Sequence, residues 1–341
     1  MREADAAVRE AVAGAEAYVV GGAVRDELLG RPVLDVDVAC PEPVEAARRY
    51  AKTAGGALFP LSERHGAWRV ALTDGRTVDF TPLPDGIDAD LRTRDFTVNA
   101  IAVPVEGGEP VDPLGGLGDL DERRLRAVTP AIFDDDPLRL LRAVRLENEL
   151  GFGLDGQTEA LLRATAGRVG EPAGERILAE LERLSADGFR RLDELGLLEP
   201  LGGTTERLRA VPQPVLLVLV FGRGLEQFPI SGRLRRLARK ALAAERPPDS
   251  SPRSIHRFRR ATEPFALEAL AYLGADDLVR AVEAARAAEP AEPLLRGDEL
   301  DVEPGPEVGR LLERIAEERA AGTIANREEA LELVQRERAG P

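Results

Sequence analysis

The feature that most constrains this chain is an alternating run, Leu34-Asp35-Val36-Asp37-Val38, that follows a Gly-Gly turn. Successive side chains of a strand point to opposite faces, so this pattern sends Asp35 and Asp37 out of one face and turns Leu34, Val36 and Val38 toward a core. Two carboxylates this close repel each other unless a cation sits between them, and hard divalent cations prefer oxygen ligands. Ahead of this run, Tyr18-Val19-Val20 reads as a short strand that stops at Gly21-Gly22. Glycine there allows a positive φ or a close backbone approach to a ligand. Ala23 to Leu29 reads as a short helix with Gly30 as its stop signal. The unit pairs a metal-site geometry with a turn able to cradle phosphate.

Further along, Pro43 to Ala54 reads as an amphipathic helix ended by Gly55-Gly56, and Trp68 to Leu72 as a strand. Asp74-Gly75 is a tight hairpin signal. The returning strand, Arg76 to Phe80, turns Val78 and Phe80 inward and Asp79 to the other face. Thr93-Arg94-Asp95-Phe96-Thr97-Val98-Asn99-Ala100 follows, then a glycine-rich loop from Asp112 to Leu120. In Asp135-Asp136-Pro137-Leu138-Arg139-Leu140-Leu141-Arg142-Ala143-Val144-Arg145, Pro137 fits a first helical turn with an aspartate before it to cap. Leu138, Leu141 and Val144 form an apolar stripe, and Asp136, Arg139, Arg142 and Arg145 recur every third residue on another face. Beyond Gly151 the chain reads as successive helices. Glu245 to Pro252 marks a loop or sub-domain boundary, and Asn326 with Glu329 reads as a capping pair.

With 341 residues and 43% hydrophobic content the chain has material for more than one domain. Cys40 is its single cysteine, which excludes a disulfide framework and a cysteine zinc site and fits a reducing, cytoplasmic setting. The N-terminal segment, Met1 to Tyr18, is acidic and amphipathic without a signal-peptide core, and the longest apolar run, Val215 to Phe221, is too short to span a bilayer. The expectation is a soluble intracellular protein with no membrane partner. Net charge is −15, but unevenly spread. Ser231 to Arg260 holds ten Lys/Arg against two acids, a local +8, whereas Ala261 to Pro341 holds nine arginines against nineteen acids, −10. A basic patch on an acidic chain still binds phosphate locally. Since Lys52 and Lys240 are the only lysines, nearly all positive charge is guanidinium, the better bidentate phosphate partner.

GGAVRDELLG followed by DVDV resembles the head signature of polymerase-β-type nucleotidyltransferases, and specifically of the class II tRNA nucleotidyltransferase and bacterial poly(A) polymerase family. Arg94 to Ala100 is similar to that family's RRDFTxNA motif, with Thr93 in place of the first arginine. The segment from Asp112 resembles its DPxGGxxDL element, Asp135 to Arg139 its EDxxR element with Asp135 for the usual Glu, and Gly174 to Leu181 its ERIxxEL segment. The C-terminal stretches from Leu295, Gly305 and Gly322 resemble the same family's tail.

The resemblance implies an α+β fold: a nucleotidyltransferase head over 1–128, a helical neck over 129–200, and a helical body and tail over 201–341. It implies two Mg²⁺ ions on Asp35 and Asp37, with Asp79 as the third catalytic carboxylate. It places Gly21, Gly22 and Arg25 at the triphosphate, and Arg94, Asp95 and Asn99 at the nucleotide. Asp136 and Arg139 would read the base edge of CTP or ATP, with Arg142 and Arg145 beside them on the nucleotide-binding face. The glycine-rich loop and the ERIxxEL segment are expected to be structural. The partner is the acceptor stem and elbow of tRNA, with Arg235, Arg236, Arg239, Lys240, Arg257, Arg259 and Arg260 as candidate phosphate contacts.

Three activities share these motifs: CCA addition, CC addition alone, and poly(A) synthesis. The segment Phe80 to Thr93 is short, which resembles the CC-adding subgroup and would call for a separate A-adding enzyme. Poly(A) synthesis is disfavoured by the lack of an extended basic C-terminal tail. An idle RNA-binding relative would have lost a carboxylate, yet all three are present. With His65 and His256 the only histidines, a histidine-aspartate phosphohydrolase appendage is excluded, and a dinucleotide-binding oxidoreductase is disfavoured because the opening turn lacks GxGxxG and no acidic residue ends a following strand at the ribose distance.

Overall fold

The strand β2, Asp35–Cys40, lies inside a six-stranded mixed sheet whose order is β3-β4-β5-β2-β1-β6. The computed structural model describes residues 6–62 and 66–339, so Met1 to Asp5 of the N-terminal segment, and His65, lie outside the described residues. The other strands are β1 Tyr18–Val20, β3 Ala57–Ser62, β4 Ala67–Ala71, β5 Thr77–Pro82 and β6 Ala102–Pro104. β1 pairs antiparallel with β2 and β6, and β3, β4 and β5 pair antiparallel in turn. β5 lies parallel to β2 in a register that sets Asp35 beside Thr77 and Asp37 beside Asp79.

Period-two alternation then divides the sheet into two faces. Val38, Cys40, Val70, Val78 and Phe80 pack with Ala46, Ala47 and Tyr50 of α3 (Pro43–Ala54) and with Val8 and Ala11 of α1 (Ala6–Ala11). The Tyr50 and Phe80 rings meet at 5.7 Å between centroids, within the range of attractive tilted aromatic pairs. Trp68, the only tryptophan, stands across from Phe80 and is half-buried against this core. The opposite face carries Val20, Ala39, Ala100 and Ala102, covered by Leu91 and Ile87 of α4, Ile87–Arg92. Burying Cys40 pushes its thiol up to about 11, so it stays protonated.

Three local expectations need correction. Leu34 is 60% exposed and outside β2, because the strand begins only at Asp35. β3 was not anticipated; its Pro60 is compatible with an edge position, where no ladder donor is needed. The short segment after β5, for which no helix was anticipated, holds α4. The turns read as foreseen: Gly55 caps α3 in the left-handed region and Gly75 has φ 87° in the β4–β5 hairpin.

The rest of the first unit is helical around a short parallel pair, β7 Arg124–Leu125 and β8 Gly153–Leu154. Its helices are α2 Gly22–Leu28, α5 Gly116–Asp121, α6 Ile132–Asp135, α7 Leu138–Leu150, α8 Gly156–Thr165, α9 Gly174–Leu181 and α10 Ala186–Glu194. Leu138, Leu141 and Val144 are buried along α7. The glycine-rich loop is structural: a Cβ on Gly116 would fall 2.1 Å from the Thr97 carbonyl oxygen, and Asp112 accepts from the Gly116 and Leu117 amides at 2.7 and 2.9 Å.

Compactness divides the chain once, between Leu201 and Gly202. Among the described residues the second unit holds α11 Gln213–Phe221, α12 Gly232–Leu242, α13 Pro252–Thr262, α14 Ala266–Leu273, α15 Val279–Ala287, α16 Pro306–Ala320 and α17 Arg327–Ala339. Every residue from Val215 to Phe221 is buried. The capping pair of α17 forms, with the Glu329 amide donating to Asn326 at 3.0 Å and the Ala325 amide donating to Glu329 at 2.5 Å. No single helix among the described residues is long and apolar enough to cross a membrane.

Candidate active site

On the sheet face away from α3, the β2–β5 register gathers Asp35, Asp37 and Asp79. Asp35 is exposed and accepts from the Thr77 hydroxyl at 2.6 Å. Asp79 is 7% exposed and takes Nε and Nη2 of Arg69, one on each oxygen, at 2.7 Å. Burial pushes the half-buried Asp37 carboxyl above the ordinary carboxylate range; Arg94 pulls against that shift and the charge on Asp79 adds to it.

The Gly-Gly turn closes over this face. Gly21 has φ 75°, and a Cβ there would lie 2.7 Å from Nη1 of Arg94 and 3.4 Å from Oδ2 of Asp37. The backbone angle calls for glycine, and any added methyl would also displace the end of the Arg94 side chain. The Gly21 amide donates to the Ile101 carbonyl at 3.3 Å, so its part is steric, and the next amide, of Gly22, begins α2. Arg94 is steadied by Asp90 of α4, with Nη2 donating at 2.8 Å.

Arg25 differs from the expectation of a phosphate contact. It is 8% exposed and engages all three guanidinium nitrogens, two on Asp26 at 3.0 and 2.9 Å and Nη1 on the Asn99 carbonyl oxygen at 2.5 Å. The Asn99 amide donates to Asp95 at 2.9 Å, and Asp95 meets Nε of Arg142 at 2.6 Å. Burial alone would push the Asp95 carboxyl up, yet Arg142 first, then Asn99 and the Phe96 amide, hold it below the usual range. A chain of polar contacts thus runs from α2 through the 95–99 motif to α7.

On α7 the expected single face does not hold. Asp136 accepts from the Leu138 amide at 3.2 Å and pairs with Arg176 of α9 at 2.7 Å. Arg139 donates to the Thr93 carbonyl at 2.8 Å, and Arg142 reaches Asp95. Arg145 points elsewhere: it is buried and bound to Glu149 and Glu180 at 2.7 and 2.5 Å. Asp136 is extended and precedes α7, and each three-residue step along the helix falls about 60° short of a full turn, so Arg145 stands about 120° round from Arg139. Arg145 with Glu180 braces α7 on α9, whereas Arg176, read as structural, touches a nucleotide-binding candidate. Arg69 was not foreseen, because a lone arginine in a strand resembles any surface residue until its cross-strand partner is known.

A cavity of about 990 Å³ opens on the other face of the sheet, lined by Val19, Val36 and Val78 among others, and touches none of the three carboxylates. The three carboxylates instead lie on the opposite face of the sheet.

In the second unit the two basic clusters differ. Arg257 pairs with Glu317 at 2.6 Å, Arg260 with Glu313 at 2.8 Å, and Arg259 with Glu263 at 3.0 Å and with Glu289 at 2.5 Å. That cluster on α13 is neutralised within the protein, contrary to its expected phosphate role. On α12, Leu234, Leu237, Ala238 and Ala241 are buried while Arg233, Arg235, Arg236 and Arg239 are exposed, and none of these arginines enters an ion pair among the described residues. Lys240 donates to the Ala261 carbonyl at 2.5 Å.

Residues 17–83 and 72–126 match the family described as the Poly A polymerase head domain. An A-adding tRNA nucleotidyltransferase of Deinococcus radiodurans is 34% identical over 414 aligned positions, spanning 94% of this chain and 95% of that protein. A CC-adding tRNA nucleotidyltransferase of Thermus thermophilus is 33% identical over 402, spanning 92% of each. The fold is also that of a Thermotoga maritima CCA-adding enzyme solved in complex with tRNA (TM-score 0.74, 22% identity, 98% of this chain and 96% of that one). An acidic face built on Asp37 and Asp79 and likeness along nearly the whole chain converge: this chain is a nucleotidyltransferase belonging to the class II tRNA nucleotidyltransferase and bacterial poly(A) polymerase family.

Proposed function

We propose that this chain extends the 3′ end of tRNA with nucleotides from CTP and ATP, without a nucleic-acid template. The observation that carries the chemistry is the parallel register setting Asp37 beside Asp79 on one face, with Gly21 and Arg94 packed against Asp37. The donor set fits a divalent cation: an exposed and a half-buried carboxylate two residues apart on one strand, on the same face as Asp79, with burial holding Asp37 above its ordinary range. Asp35 and Asp37 would hold Mg²⁺, which when bound supplies positive charge to the α-phosphate and acidifies the attacking hydroxyl. Positioning and electrostatics supply most of the rate in such transfers.

The protein's own groups do the rest. The α2 N-terminus at Gly22 faces the triphosphate, favourable for anions because its amides lack helical partners. Arg94 adds a guanidinium beside Asp37, and Asp95, Asn99 and Arg25 hold that corner rigid. Asp79 would accept the hydroxyl proton once its contact with Arg69 is released. Asp136, just ahead of α7, offers acceptors and Arg139, in its first turn, offers donors, a pair suited to a base edge. The α12 arginines take the RNA backbone, since they carry charge that no neighbouring acid consumes.

A second reading, CC addition alone, is favoured by α4. The segment between Asp79 and Arg94 is folded and tied to the site through Asp90 and Arg94, leaving no long mobile loop to re-gauge the pocket for a third nucleotide.

The test is primer extension with purified protein and Mg²⁺, on tRNA ending at the discriminator base and on tRNA ending in CC, with CTP and ATP separately and together. Two added residues that ATP cannot lengthen support CC addition, three support CCA addition, and A added only to the CC-ended tRNA assigns A addition. No extension beyond an Asp35→Ala plus Asp37→Ala control overturns the reading.

A further inference from the structure

Arg69 stands on β4 directly across from Asp79, on the same sheet face as Asp35 and Asp37. Its fork occupies both Asp79 oxygens at 2.7 Å, and with Asp79 nearly buried little of that carboxylate is left for another partner. Bidentate guanidinium–carboxylate pairs are among the stronger polar contacts a protein makes. In keeping with this, no group of three acidic, histidine or cysteine side chains among the described residues is arranged to hold a metal ion. Two carboxylates remain, with the third committed to an arginine. Arg69 is also about one-third exposed, so its guanidinium has room to leave toward solvent or an arriving anion.

We propose that Arg69 is a positioning residue that competes with a divalent cation for Asp79. Before nucleotide arrives, Asp35 and Asp37 alone hold the ion and Asp79 is kept by Arg69. A triphosphate offers the guanidinium a new anion, frees Asp79, and completes the acidic set only when substrate is present. The protein thereby avoids three uncompensated carboxylates in the resting site, and its cation affinity becomes dependent on nucleotide. This rests on the assignment of Asp35 and Asp37 as cation ligands.

The experiment is Mn²⁺ binding to the nucleotide-free full chain, read from the free-ion electron paramagnetic resonance signal, for the wild type, Arg69→Met, Arg69→Lys, Asp79→Asn and Asp37→Asn, each checked by a thermal melt. Arg69→Met is expected to tighten Mn²⁺ binding roughly tenfold by removing the competitor, and Arg69→Lys less, since it keeps a charge without the fork. Asp79→Asn is expected to leave the affinity within about twofold, because Asp79 is not a ligand in this state. Unchanged or weaker binding in Arg69→Met, while Asp37→Asn abolishes binding, overturns the role of Arg69 alone. A roughly tenfold loss in Asp79→Asn also overturns it, and this arm decides the matter if Arg69→Met does not fold. Binding equal to wild type in Asp37→Asn overturns the cation assignment and the role of Arg69 together.

Discussion

The side-chain carbonyl of Asn99 accepts from Nη1 of Arg25 at 2.5 Å, a contact that ties α2 to a motif seventy-four residues further along the chain. Its amide simultaneously holds Asp95. Asn99 is 2% exposed, so neither partner has water to fall back on. Asn99→Ala is expected to cost about 1–3 kcal/mol through the buried groups it leaves unpaired, and to lower kcat/KM by loosening the Arg25 corner. Urea unfolding and steady-state kinetics on the same variant check both halves; an unaltered kcat/KM would make the contact purely structural.

Gly21→Ala addresses the phosphate turn. The added methyl would need to share space with Nη1 of Arg94 and adopt φ 75°. With ψ −137° the position lies outside the left-handed helical region, in backbone space that residues other than glycine rarely enter, and the backbone term alone is about 1–3 kcal/mol. Displacement of Arg94 is expected to raise KM for the nucleotide more than it lowers kcat. Gly30→Ala, at φ 67° with open space around it, is the control, paying the backbone term without the nucleotide effect.

Asp37 and Asp95 should move stability in opposite directions. Asp37 holds its proton more tightly in the folded protein, so its ionised form destabilises the fold at neutral pH, and this penalty is relieved as pH falls into the ordinary carboxylate range. Asp95 is depressed, so it contributes stability above its unfolded value that is lost as pH falls through its folded one. Melting curves in chelator should show Asp37→Asn more stable than wild type at neutral pH and Asp95→Asn less stable; the Asp37 difference shrinks as pH falls toward about 4, whereas the Asp95 difference persists there and shrinks only below that, under the ordinary carboxylate value. A destabilised Asp37→Asn would contradict the assigned environment.

The two basic helices of the second unit should separate in salt titrations. Replacing Arg235, Arg236 and Arg239 of α12 with Gln is expected to weaken tRNA binding and reduce the slope of log affinity against log salt by about 2, given about 0.7–0.9 per phosphate contact. Arg257→Gln with Arg260→Gln should leave that slope nearly unchanged, because Glu317 and Glu313 already consume those charges. Filter binding at several salt concentrations checks both.

What the sequence disclosed was local. The Asp35–Asp37 alternation, the helix from Pro43 to Ala54, the buried stripe on α7 and the Asn326–Glu329 cap each follow from periodicity or capping chemistry within a few residues, and each is found. What escaped it depended on partners distant in sequence. Arg69 acquires meaning only from the β4–β5 register, and Arg176 only from α9 lying beside Asp136. Neutralisation of the α13 arginines required α16, more than fifty residues on, to be in place. Arg145 shows the other limit: a three-residue repeat keeps near one face over a single step but has drifted about 120° after two.

Trp68 adjoins Arg69 on β4 and is the only indole in the protein. Its emission is therefore a single-site signal, uncontaminated by other tryptophans, from the strand that carries the Arg69–Asp79 pair. Release of that pair during nucleotide or cation titration can be followed in the unlabelled protein, with the rate of the rearrangement read in a stopped-flow trace before any phosphodiester bond is made.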